Sequence, residues 1–231
     1  MRIFAIGDIH GCSTLLRQLL KVVDLSPADR VVTLGDYINK GPNTKGVLDQ
    51  LIAFAQSGQL IALRGNHELR MLAAKAQQSI EVNDEVLLDQ NTLSSYDSGS
   101  LDQSLRSPLT SIPDAHWKFV AEQCLDGWES ENHIFVHASL DPNKPLSEQP
   151  TRKLFWEKFD NPKPHVSGKT LVCGHTRQKS GEPLNLGHAI CIDTWAWGNG
   201  WLTGLEVTSG DVWQVNKQGK VKRTHIDTFR R

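Results

Sequence analysis

The chain has 231 residues, with 25 Lys+Arg against 26 Asp+Glu and a formal net charge of −1. A balance this close to neutral offers no electrostatic drive toward nucleic acid or an anionic membrane. No apolar run reaches the roughly 18 residues that a transmembrane helix needs. With 39% hydrophobic and 22% charged residues, the expectation is one globular domain over 1–231, monomeric, with a sizeable core.

Taken in chain order, the opening MRIFAIGDIHG reads as a buried strand over 2–6 running into a polar loop rather than as a signal peptide. Residues 13–23 place Leu15, Leu16, Leu19, Leu20 and Val23 on one helical face. A second strand follows at 31–35. A helix at about 43–57 carries Val47, Leu48, Leu51, Ile52 and Ala55 on one side. A third strand covers 59–63, and a helix begins near His67. Residues 77–115 are rich in Ser, Asp, Gln and Asn and read as an inserted helix with a long surface segment, either a cap facing substrate or a plain excursion. Later strands are expected at 133–137, 170–174, 189–193, 202–207 and 212–215. Between them, residues 141–168 hold five prolines and read as an irregular connection. Strand–helix alternation followed by a strand-rich end predicts an α/β sandwich with helices covering mixed sheets. The four cysteines lack CxxC spacing and sit among apolar neighbours, so reduced thiols in a cytoplasmic protein are expected.

Metal-ligand residue types recur where these strands end. Strand one runs into Gly7-Asp8-Ile9-His10-Gly11, strand two into Gly35-Asp36, strand three into Arg64-Gly65-Asn66-His67-Glu68. His137 closes one later strand and Gly174-His175 another. Sites of α/β sheets form beyond the carboxyl ends of strands. Two divalent ions need a bridging carboxylate among oxygen and imidazole ligands. Asp8 and His10, two apart on an extended loop, can reach one ion. Asp36 can bridge, and Asn66, His137 and His175 can complete the second. Hydroxide held between the ions would be a strong nucleophile at neutral pH. His116, His133, His165, His188 and His225 lack such settings and are read as structural. Four tryptophans at 195, 197, 201 and 213 are read as core and rim packing.

The ordered set GDIHG, GDYINKG, RGNHE, FVHA and CGHT resembles the phosphoprotein phosphatase branch of the calcineurin-like metallophosphoesterases, in its compact bacterial form. The likeness extends to TLSSY, IPDAHWKFV, LFWEKF and IDTWAWGNGWLTGLEV, and so over most of the chain. It implies a sandwich of two mixed β-sheets flanked by helices and a centre of two divalent metal ions, manganese first, iron or zinc as alternatives. It also implies in-line phosphomonoester hydrolysis by a metal-bridging hydroxide, with His67 protonating the leaving oxygen. Asp8 and His10 would hold the first ion, Asp36 would bridge, and Asn66, His137 and His175 would hold the second. Lys40, Asn66 and Lys158, with Arg152 as the alternative to Lys158, would face the phosphate.

The chain departs from that pattern at Asn39, where the family has Asp beside the catalytic histidine, and at Lys40, where it has Arg. Asn orients the ring without adding charge, and Lys binds phosphate less directionally than Arg. Slower turnover than in a typical member is expected. Trp195, where Gly is usual, is expected to narrow the pocket. The leading reading is a serine/threonine protein phosphatase acting on phosphoproteins. The alternative is a hydrolase of dinucleoside polyphosphates, of the diadenosine tetraphosphate type, or of another small phosphoester. Glu68 favours the first and Asn39 the second. A silent metal-binding module that docks phosphopeptides is the third.

Overall fold

The computed structural model describes residues 1–97 and 107–231. Its first half is β1 (Ile3–Ile6), α1 (Ser13–Val23), β2 (Arg30–Thr33), α2 (Thr44–Ala55), β3 (Leu60–Ala62) and α3 (Asn66–Gln77). A short hairpin, β4 (Glu81–Val82) and β5 (Glu85–Val86), leads to α4 (Gln90–Ser95) and α5 (Asp114–Lys118). Then come β6 (Gly127–Glu129), β7 (His133–Val136), α6 (Thr151–Trp156), β8 (Thr170–Cys173), β9 (Leu184–Asn185) and β10 (Ala189–Cys191). The chain closes with β11 (Leu202–Glu206), β12 (Asp211–Val215) and β13 (Val221–His225). Of the expected 77–115 segment, residues 98–106 lie outside the described residues.

Two mixed sheets form, in the order β13-β12-β11-β1-β2-β3 and β6-β7-β8-β10-β9. Strands β1, β2 and β3 run parallel, as do β7, β8 and β10. The remaining pairings are antiparallel. Period-two alternation assigns the faces. Ile3 and Ala5 of β1, Val32 of β2, Phe135 of β7, Val172 of β8 and Ile190 of β10 share one core between the sheets. Phe4 and Ile6 turn the other way, into a core with Leu15, Leu16 and Leu19 of α1 and Val47, Leu48 and Leu51 of α2. Ile134, Val136, Leu171 and Cys173 turn outward to Leu154 and Phe155 of α6. Helix, sheet, sheet and helix therefore stack as four layers. Strands covered on both faces read as continuous apolar runs, which is why these were the easy ones.

Within the proline-rich connection, expected to be irregular, Thr151–Trp156 form the short helix α6. All four cysteines are buried and unpaired. No helix among the described residues is long and apolar enough to cross a membrane.

Candidate metal centre

The parallel strands deliver their carboxyl ends to one rim. Past β1 lie Asp8 and His10, past β2 Asp36, Asn39 and Lys40, and past β3 Asn66 and His67 opens α3. His137 follows β7, His175 follows β8, and Asp193 follows β10. The turns are tight. His10, Asp36, Asn39, Lys40 and His175 all hold positive φ, between 44° and 68°, a conformation that costs L-residues energy and concentrates at functional sites. Gly65 is needed here, because a Cβ would collide with the Asp36 carboxylate and the His137 ring. At Gly174 a Cβ would collide with Asp8.

Glu68 fixes the rim to α3. Its Oε1 accepts from the Tyr37 N–H at 2.8 Å, and its Oε2 from the Asp36 N–H at 2.7 Å and the Gly65 N–H at 2.8 Å. The last of these is half of a capping box on α3. Glu68 thereby holds the strand-two loop against the strand-three loop.

Asp36 sits at the centre. Its Oδ2 lies 3.3 Å from His10 Nε2 and its Oδ1 3.4 Å from His137 Nε2. Two groups of potential ligands share it: His10, Asp36 and His67, and Asp36, His137 and His175. Asn66 joins the second, its Oδ1 3.0 Å from His137 Nε2 and 3.1 Å from His175 Nδ1. Asp8 is buried but belongs to neither close group; both of its carboxylate oxygens accept from the His175 N–H, at 3.0 and 3.1 Å. His67, expected as a proton donor, brings its Nε2 to 3.9 Å from Asp36 Oδ2, the oxygen that also faces His10.

These donors fit divalent cations on their own chemistry. His10 Nδ1 donates to the Ile38 carbonyl at 2.8 Å, His137 Nδ1 to the Leu34 carbonyl at 2.8 Å, and the His175 ring to the Trp156 carbonyl. Each ring therefore turns a lone pair into the cavity, the arrangement that orients imidazole ligands. His137 Nε2 and His175 Nδ1 come within 3.2 Å of each other with lone pairs converging and no proton between them, a contact that a cation relieves. Burial pushes the Asp8 carboxyl well up, with Asp193 and Asp36 adding to it. Burial likewise raises Asp193. Burial works against charge on Asp36 too, yet His137, His67, His10 and His175 outweigh it and hold its carboxyl below the usual range. Burial brings His67 down to about 3 and His175 to about 4, so both rings are neutral, and His175 Nδ1 keeps the free lone pair that ligation requires.

The cavity, about 350 Å³, is lined by His10, Asp36, Asn66, His67 and His175, with Lys40 and Lys158 at its edge. Arg152 does not line it. Leu154 and Phe155 face the outer core, and Arg152 on the same helix is exposed. Four lining residues, Thr176, Arg177, Asp193 and Trp197, are not among the expected site residues. Asp193 had a visible signal, since it ends the strand-like run AICID. Arg177 had none: it is placed by cation–π contact, its guanidinium 5.3 Å from the Trp195 ring and 5.2 Å from the Trp197 ring. Trp197 lines the cavity and Trp195 does not. Trp195, at φ 67°, backs Arg177 instead of narrowing the pocket.

Residues 87–92 also do more than cross the surface. Asp89 Oδ2 accepts from the Lys40 N–H at 2.6 Å, and Thr92 Oγ1 from the Asn39 N–H at 2.9 Å. The segment buttresses the loop that carries Asn39 and Lys40.

A family model described as calcineurin-like phosphoesterase matches residues 1–196. The chain is 47% identical over 75 residues to a symmetrical bis(5'-nucleosyl)-tetraphosphatase of Paracidovorax citrulli, covering 32% of this chain and 26% of that protein. It is 32% identical over 149 residues to one of Janthinobacterium sp., covering 62% and 45%. The chain thus spans less than half the length of these relatives. A crystal structure assigned provisionally to a diadenosine tetraphosphatase superposes with a TM-score of 0.63 over 97% of this chain and 93% of that one, at 23% identity; at that identity the likeness is one of fold.

Proposed function

The chain belongs to the calcineurin-like phosphoesterase family, and we propose that it hydrolyses a phosphoanhydride bond in dinucleoside polyphosphates. The observation that carries this reading is the cationic rim. Lys40, Lys158 and Arg177 surround one small cavity whose floor is already equipped for cations. A lone phosphoserine phosphate would occupy the floor alone, whereas a chain of phosphates also needs positive groups along its length. Arg177, held between two indoles by cation–π contact, can take phosphate oxygens as a bidentate fork. Both curated relatives bear the tetraphosphatase name, which supports the dinucleotide reading over protein dephosphorylation.

In this reading Asp36 is shared between two cation positions. Asp8 and His10 would hold one, with the His67 ring beside it, and Asn66, His137 and His175 would hold the other. Divalent cations there would supply Lewis-acid activation of water and of the phosphoryl oxygens. Lys40 and Lys158 neutralise the phosphate at the cavity edge, and Arg177 holds the next phosphate outward. The Trp197 face offers the nucleoside an apolar wall.

A panel with added Mn²⁺ tests this. Diadenosine tetraphosphate is expected to turn over with a kcat/KM at least about tenfold above that of a phosphoserine peptide. The reverse preference would restore the protein-phosphatase reading. Metal uptake with no turnover of either substrate would support the silent module.

A further inference from the structure

The hydrogen-bond polarity at Asn39 bears on which leaving groups this site can expel. Its carboxamide has no freedom to flip. Asn39 Oδ1 accepts from the Asp89 N–H at 3.0 Å and from the Thr92 hydroxyl at 3.0 Å. Asn39 Nδ2 donates to the Leu87 carbonyl at 3.1 Å. A peptide N–H only donates and a carbonyl only accepts, so two backbone groups decide which end is oxygen. The second Nδ2 hydrogen then points at His67 Nδ1, 2.8 Å away. His67 Nδ1 must accept, and the ring carries its proton on Nε2, the nitrogen on the side of Asp36 and the cavity. A ring with protons on both nitrogens would set an N–H against the amide.

We infer that Asn39 is a positioning residue that locks His67 as a neutral hydrogen-bond donor, and that the site therefore favours leaving groups that depart without a proton. This rests on the phosphoanhydride reading above and narrows it. Neutral imidazole gives a hydrogen bond readily and its last proton only at great cost. An alkyl phosphomonoester expels a strongly basic alkoxide, which needs that proton. A phosphoanhydride does not. A bond forms from phosphorus to the oxygen of water, and the bond from phosphorus to the bridging oxygen breaks. The electron pair leaves on the terminal oxygen of a nucleoside diphosphate, whose phosphate is acidic with a second pKa of about 6, and the water's protons pass to solvent. The His67 Nε2–H need only steady the bridging oxygen. Carboxylate in place of Asn39 would accept from Nδ1 and reverse the polarity.

Two measurements test the inference. In the full chain loaded with diamagnetic Zn²⁺, ¹⁵N-resolved NMR of the His67 ring is expected to show hydrogen on Nε2 and a bare, acceptor Nδ1. Hydrogen on Nδ1, on both nitrogens, or zinc on Nε2 would overturn it. Along a series of aryl and alkyl phosphates, wild-type kcat is expected to fall steeply with leaving-group basicity. In Asn39→Asp the ratio of alkyl phosphate to diadenosine tetraphosphate turnover should rise about tenfold or more. An unchanged ratio in a folded Asn39→Asp protein, or a flat wild-type series, would overturn it. Should Asn39→Asp fail to fold beside the Leu87 carbonyl, the NMR and the wild-type series still decide. Steep dependence together with inert diadenosine tetraphosphate would sustain the inference and reject the dinucleotide reading.

Discussion

Asp36 is the one side chain common to both groups of potential ligands, so it answers for both cation positions at once. Asp36→Asn is expected to lose metal uptake and to lower hydrolysis more than about a hundredfold; inductively coupled plasma measurement and the Mn²⁺ assay check the two effects. Glu68 has a structural task in the fold. Read as a mark of the protein-phosphatase branch, it proves to be the acceptor for three backbone N–H groups. Glu68→Ala would leave these donors buried and unpaired, at about 1–3 kcal/mol each less whatever water recovers. A net destabilisation of about 2–4 kcal/mol in urea unfolding is expected, and a loss below about 1 kcal/mol would contradict that role. Asp8, His10, Asp36, Asn66, His137 and His175 were legible because each sits just past the carboxyl end of a strand. Arg177 was not, because what places it is a pair of indoles some twenty residues on. Nor was the polarity of Asn39, which depends on backbone groups of residues 87 and 89.

Among the elements, β1, β2, β7 and β8 were plain from sequence, being apolar on both faces. β13 was missed for the opposite reason. Val221–His225 contains Lys222 and Arg223, is mostly exposed, and pairs only with β12; charged edge strands protect a sheet from further pairing and look like a polar tail. Neighbouring β1 and β2 are tied at their starts by Arg2 and the buried Asp29. Arg2 reaches the Asp29 carboxylate through its backbone N–H at 2.9 Å, its Nε at 3.1 Å and its Nη2 at 2.6 Å. The Arg2 hydrogen bonds hold the Asp29 carboxyl below the usual range despite the opposing effect of burial. A carboxyl depressed in the fold stabilises above its unfolded pKa, about 3.9, and that contribution disappears as pH falls through the lower folded value. Arg2 is 39% exposed, so solvent screens the pair. Arg2→Ala should cost about 1 kcal/mol at pH 7 and flatten the loss of stability below about pH 4. Urea midpoints at the two pH values would show equal slopes if Asp29 had no such role.

For the whole molecule, nearly all of the formal charge cancels, yet two buried acids, Asp36 and Asp193, and three histidines line one cavity, with Asp8 and His137 buried beside it. That concentration destabilises the metal-free fold, and binding to the folded state alone recovers stability by mass action. At a Mn²⁺ concentration about a hundred times Kd, the gain is about 2.7 kcal/mol, which for a domain of this size is roughly 5–10 °C in Tm. Calorimetry of wild type with and without Mn²⁺ should show that rise, and Asp36→Asn should not.

The most direct test of the account is the number of divalent ions bound per chain at saturation, by titration calorimetry with a metal count on the same sample. Two ions per wild-type chain, with both sites lost in Asp36→Asn, is the expected result. A single ion in the wild type, or an Asp36→Asn protein that still takes up two, would contradict a centre built on one shared carboxylate.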